Sequence, residues 1–142
     1  MPKSIKFNHL LPELLVSDFV KSLYFYTVIL DFKIEYQRKN PNFAFLSYGK
    51  SQIMIQELKP GEKETEKLKN PFGRGINFQI ETSSIVKITK SLQKHKYPIT
   101  RGIKDNWYKG NKALYGCREI LVNDPDGYLL RFSEDSGQKS IK

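Results

Sequence analysis

Few side chains in this sequence belong to the types that make or break bonds. It holds one cysteine, Cys117, and two histidines, His9 and His95. Cys117 sits in an alternating β-like run, where a lone cysteine is usually a small buried hydrophobe, and no base is identified beside it to make it a nucleophile. His9 precedes the first strand. His95 falls at the end of a helix, where a partly charged imidazole complements the dipole. No residue is therefore assigned a catalytic role. The types that could hold a ligand are better represented. Glu13, Met54, Gln56, Asn77, Gln79 and Arg131 fall on mixed strand faces, and Trp107, Tyr108 and Tyr115 offer flat rings. Large apolar area with a few directional polar groups is the recipe of a pocket for a bulky planar ligand. Arg131 could also anchor an acidic group through its guanidinium. The competing reading pairs Arg131 with Glu13 and gives the rings to core or dimer packing.

These residues need a scaffold, and the pattern supplies one. In Gly116–Phe132, Ile120 and Val122 alternate with Glu119, Leu121 and Asn123, the signature of a strand with one greasy and one mixed face. Asp124-Pro125-Asp126-Gly127 is a turn: proline presets φ, aspartate caps its own backbone and glycine takes positive φ. Tyr128–Phe132 closes a hairpin. Upstream, Leu10–Val16 reads as a strand and Ser17-Asp18 as a helix N-cap. The helix is expected to reach about Leu30, with Phe19, Leu23, Tyr26 and Leu30 as its buried stripe, widened by Phe25 and Val28. Strands follow at Phe32–Arg38, Phe43–Tyr48 and Gln52–Leu58, with turns at Asn40-Pro41-Asn42 and Gly49-Lys50. Residues 59–74 read as a linker or surface loop with one possible helical turn. The second half repeats the order: a strand at Ile76–Thr82, a Ser84-capped helix to about Lys96 with Ile85, Ile88 and Leu92 inside, a short strand from Ile99, a loop at Asn106-Trp107-Tyr108, and the closing hairpin. An offset of 66 residues pairs Asp18 with Ser84, Glu13 with Gln79 and Leu11 with Asn77. The expected fold is α+β: one domain over 1–142, its two βαβββ modules (about 8–58 and 75–134) pairing their sheets into a curved, cupped surface with helices outside and a cavity between.

Composition narrows the classes. The chain's 142 residues suffice for one ordinary core, and 39% hydrophobic content with 13% aromatics is that of a folded protein. No apolar run approaches the ~20 residues needed to cross a bilayer. No signal peptide is read at the N-terminus, and a single cysteine suits a reducing compartment, so the expected location is the cytoplasm without a membrane partner. The net charge is +9. Lysines and glutamates alternate through residues 57–69, however, and no nucleic-acid-binding motif accompanies the charge, so a solvated surface is expected rather than nucleic-acid binding.

Val16-Ser17-Asp18, then Ser22-Leu23-Tyr24-Phe25-Tyr26 ending at Leu30-Asp31-Phe32, resembles the opening of the vicinal oxygen chelate superfamily. That superfamily includes glyoxalase I, extradiol dioxygenases, fosfomycin-modifying enzymes and bleomycin resistance proteins. Gly73–Glu81, Trp107-Tyr108 and Val122–Phe132 look like the bleomycin resistance branch, and the likeness runs from about Leu10 to Glu134. It implies the paired βαβββ fold. In family enzymes a divalent metal is held by one side chain from each of four strands. Carried over by position, those ligands fall on Leu11, Gln56, Asn77 and Arg131. A leucine cannot ligate, an arginine stays cationic, and two amides complete no catalytic set. The resemblance thus implies a non-enzymatic, metal-free and cofactor-free binding protein like the bleomycin resistance proteins. It would sequester a bulky aromatic or charged small molecule, with a homodimer as the expected assembly. Bleomycin-type drugs are cationic, so the +9 charge argues against that drug itself. The alternatives are a divergent metal-dependent lyase, isomerase or dioxygenase, and an interaction module with no small ligand.

Overall fold

The computed structural model describes residues 4–59 and 66–141. Part of the expected linker, including Pro60, Gly61, Glu62, Lys63 and Glu64, lies outside the described residues. The chain divides into two compact units, Met1–Phe72 and Gly73–Lys142.

The first unit runs β1 (Glu13–Val16), α1 (Phe19–Tyr24), β2 (Lys33–Arg38), β3 (Phe43–Tyr48) and β4 (Ser51–Glu57). The second runs β5 (Asn77–Glu81), α2 (Ile85–Lys94), β6 (Arg101–Lys109), β7 (Ala113–Asn123) and β8 (Leu129–Ser140). The expected α+β class and the doubled βαβββ order are what the structure shows. Each unit holds one four-stranded sheet, ordered β1-β4-β3-β2 and β5-β8-β7-β6. In both, the first strand lies parallel to the fourth and the rest are antiparallel.

The 66-residue offset is visible in the helix caps. The Asp18 carboxylate accepts from the Lys21 amide at 3.1 Å, and the Ser84 hydroxyl accepts from the Lys87 amide at 3.1 Å. Each satisfies an amide that the first helical turn leaves without an intrahelical partner. Beyond Tyr24 the first helix differs from expectation. It widens into a π-helical turn, Phe25–Ile29, where the Leu30 amide reaches back five residues to the Phe25 carbonyl at 3.0 Å. The buried stripe is consequently Ser22, Phe25, Tyr26, Ile29 and Leu30; Phe19 and Leu23 are half-buried and Val28 is exposed. The second helix buries Ile85, Ile88 and Leu92 as expected and packs against β7 and β8, just as α1 packs against β4.

The helix-facing rows form the cores. In the first unit Leu14, Val16, Ala44, Leu46, Ile53 and Ile55 are buried; in the second, Ile80, Ile120, Val122, Leu130 and Phe132 are. Each large side chain withdrawn from water contributes about 1.5–3 kcal/mol. The Asp-Pro-Asp-Gly turn forms as read. Asp124 Oδ1 accepts from the Asp126 and Tyr128 amides, both at 2.9 Å, and Gly127 takes φ +99°. Gly73 adopts φ +70° with the Tyr128 ring packed where a Cβ would stand, which excludes any larger residue.

Two expectations about the second unit are corrected. Asn106-Trp107-Tyr108 is not a loop but part of β6, near its C-terminal end. Asp and Asn are poor strand formers; here pairing with β7 overrides their preference. The last strand also runs well past Phe132, to Ser140.

Candidate functional site

Paired residues of neighbouring strands point to the same side of a sheet, so the registers define rows on the face opposite each helix. In the first unit one row is Glu13, Met54, Phe45 and Tyr36, and the next is Leu15, Gln56, Phe43 and Arg38. The rings stack: Tyr36 lies 5.4 Å from Phe45 and 5.8 Å from Phe43, centroid to centroid, and Phe7 meets Phe45 edge-on at 5.2 Å. The Arg38 guanidinium carbon sits 3.9 Å from the Phe43 centroid, a cation–π contact. This face is aromatic and closely packed; Gln56 is buried in it.

The corresponding rows of the second unit carry different chemistry. Gln79, Arg131, Leu121 and Arg101 form one; Glu81, Ser133, Glu119 and Lys104 form the next. Asp135, Cys117 and Asn106 continue the face, followed by Gln138, Tyr115 and Tyr108. Glu119 is the centre. Its side chain is 1% exposed. Oε1 accepts from Tyr108 Oη at 2.6 Å and from Asn106 Nδ2 at 2.7 Å. Oε2 lies 3.3 Å from Arg131 Nη1, an ion-pair contact whose geometry makes no hydrogen bond. The bond to the Glu119 carboxylate, with partial burial, holds the Tyr108 phenol above its ordinary pKa. A buried carboxylate is tolerated when neighbours share its charge in this way.

An open cavity of about 300 Å³ lies on this face, lined by Gln79, Glu81, Tyr115, Cys117, Ser133 and Asp135. It is locally acidic although the chain is +9 overall.

Glu13, Met54 and Gln56 share the open face of the first sheet. Asn77, Gln79, Tyr108 and Arg131 share that of the second. Trp107 does not join them. Strand alternation turns it to the opposite side of β6, over Gly116, with Lys139 Nζ 3.9 Å from its ring centroid. Cys117 is a half-exposed cavity wall rather than a buried hydrophobe. The partner of Arg131 in the second unit is Glu119. His9 is exposed ahead of β1; His95 caps α2, its Nδ1 2.8 Å from the Ser91 carbonyl oxygen.

Sequence reasoning missed Glu119, Arg101, Asn106, Glu81 and Asp135. Glu119 carried a signal, since it alternates with Ile120 and Val122, which lie buried on the other face of the strand. Nothing local marked Arg101, which acquires its place through pairing with Leu121.

The metal that family enzymes hold does not fit the residues present. Leu11 has no donor and precedes β1, and Arg131 is a cation already engaged with Glu119. Gln56 and Arg131 are not repeat-equivalent, because Gln56 pairs with Leu15 whereas Arg131 pairs with Gln79, the repeat mate of Glu13. Among the described residues, no three His, Cys, Asp or Glu side chains gather closely enough to hold a metal ion.

Comparison with known proteins places the architecture. No curated protein sequence matches the chain significantly. Solved structures share its fold at low identity. Virulence protein STM3117 from Salmonella typhimurium is 20% identical over 93% of this chain and 99% of its own, with a TM-score of 0.65. TioX from Micromonospora sp. ML1 is 18% identical over 91% and 99%, TM-score 0.67. A glyoxalase/bleomycin resistance protein/dioxygenase superfamily member from Sphaerobacter thermophilus is 21% identical over 92% and 98%, TM-score 0.66. The model of that superfamily matches residues 6–132. With the matched span reaching from before β1 into β8, the chain belongs to the glyoxalase/bleomycin resistance protein/dioxygenase superfamily.

Proposed function

We propose that this chain is a metal-free binding protein that captures an aromatic or charged small molecule without transforming it. The observation that carries this reading is Arg131. It stands at a position that the family pattern gives to a metal ligand, and Glu119 holds its guanidinium in place at 3.3 Å. A guanidinium there has no lone pair to give a metal ion and stays protonated, so it occupies the position without ligating. Around it lie groups that recognise rather than react: the amide of Gln79, the phenols of Tyr108 and Tyr115, and the carboxylates of Glu81 and Asp135 beside a cavity of about 300 Å³. The carboxylates are acceptors for a donor-bearing edge of the ligand, and the tyrosines supply flat apolar walls.

The test is calorimetric titration of the purified chain with planar aromatic compounds, neutral and charged, and with bleomycin with and without copper. Elemental analysis of protein prepared without chelators runs in parallel. Saturable binding to metal-free protein is the expected result. Stoichiometric Ni, Zn, Mn or Fe, or chelator-sensitive turnover, overturns the reading. Failure of bleomycin alone removes only that drug.

A further inference from the structure

Three guanidinium nitrogens on the open face of the second sheet are buried without a hydrogen-bond partner among the described residues: Arg101 Nε, Arg101 Nη2 and Arg131 Nε. Buried donors in folded proteins are nearly always satisfied, and an orphan calls for an explanation such as a bound ion. Three orphans on two arginines are a concentrated case. The pair is also ordered. Arg101 pairs with Leu121, and Leu121 pairs with Arg131, so both cations stand in one row with a leucine between them. At the spacing of two strands their Cα atoms are ~10 Å apart, within reach of two long side chains converging on one group. On Arg101 the orphans are Nε and Nη2, the two donors that share one edge of the guanidinium plane. That edge matches two oxygens of a carboxylate or phosphate.

Charge points the same way. Glu119 is the buried carboxylate beside Arg131, whose Nη1 lies 3.3 Å from Oε2 without a hydrogen bond, while Oε1 accepts from Tyr108 and Asn106. One carboxylate against two guanidinium ions leaves this row with an excess positive charge. Lys104, on the neighbouring row, adds another. The acids that line the cavity, Glu81 and Asp135, lie on other rows, closer to Ser133 and Cys117.

We propose that Arg101 and Arg131 form an oxyanion site: Arg101 holds a carboxylate or phosphate group of the ligand through its Nε/Nη2 edge, and Arg131 donates to the same group through Nε while Nη1 stays with Glu119. The inference rests on the ligand-binding reading and extends it by naming the chemical class of one end of the ligand. Arg101 becomes the specificity-determining residue.

The probes are inorganic phosphate and benzoate, titrated into the full chain by calorimetry at constant ionic strength set with sodium chloride. At least one is expected to bind saturably. Phosphate alone indicates a phosphate- or phosphonate-bearing ligand; benzoate indicates an aromatic carboxylate. Arg101→Lys keeps the charge but loses the two-donor edge, and is expected to weaken binding about tenfold or more. Arg101→Gln removes two unpartnered buried donors, so its melting temperature without oxyanion stays level or rises. Oxyanions that bind no better than chloride, or bind Arg101→Lys as well as the parent, overturn the site. A marked fall in melting temperature for Arg101→Gln also overturns it, since that assigns Arg101 a structural partner. If neutral aromatic compounds bind and neither oxyanion does, the oxyanion site fails while the binding reading stands. If nothing binds, both fail.

Discussion

Glu119 shows how one buried carboxylate can organise a sheet face. It draws Tyr108 and Asn106 from β6 and Arg131 from β8 onto a single side chain of β7. Glu119→Ala would leave Arg131 without its counter-ion and two donors unsatisfied, and is expected to cost about 3–5 kcal/mol in urea denaturation. Tyr108→Phe removes one hydrogen bond to a charged acceptor, for about 1.5–3 kcal/mol at most and less at this half-exposed position. The phenol also sets a pH signature. Donation to Glu119 raises the Tyr108 pKa, and burial, then Asp124 and Asp126, raise that of Tyr97. Both groups bind their protons more tightly in the folded chain than in the unfolded one. The stability they contribute is whole below the ordinary phenol value of about 10 and is lost as pH rises through the folded values. Urea midpoints are therefore expected to fall above about pH 10, and to fall less in Tyr108→Phe.

At the scale of elements, β6 and the two capped helices each rest on contacts that a single substitution removes. Trp107 lies flat over Gly116 across the β6–β7 pair, and a Cβ on Gly116 would stand 2.6 Å from its ring. Gly116→Ala is expected to lift the ring and break the Lys139 contact, costing about 1 kcal/mol. Because Trp107 is the only tryptophan, a shift in emission reports the displacement directly; unchanged emission would refute the packing. The caps offer a second measurement. Asp18→Ala and Ser84→Ala are each expected to cost about 1 kcal/mol, and their costs should add because the sites share no partner.

For the whole molecule, the same strand order carries two surfaces of different chemistry. The row that holds Met54, Phe45 and Tyr36 in the first sheet holds Arg131, Leu121 and Arg101 in the second. In both units the helix-facing side is apolar, as a core requires, whereas the other side carries different residues. A donor set of leucine, two amides and an arginine adds no metal-linked stability. The melting temperature is therefore expected to be unmoved by a chelator or by added zinc or nickel, as measured by scanning calorimetry.

Much of this was legible in one dimension. The doubled order, both caps, the Asp-Pro-Asp-Gly turn and the apolar faces of β7 and α2 follow from local preference and from periods of 2 and 3.6, which depend on neighbours in sequence. The π-helical turn was hidden, because one extra residue per turn shifts the buried stripe without altering composition. The strand character of Asn106–Tyr108 was hidden because it comes from pairing with β7. The site was hidden for the same reason: Arg101, Glu119 and Arg131 lie far apart in the chain, and only strand register makes them neighbours. Sequence by itself determined which faces are apolar and where elements begin, since those are local free energies. Tertiary structure decided which polar residues meet, since that depends on register, a property no single segment possesses.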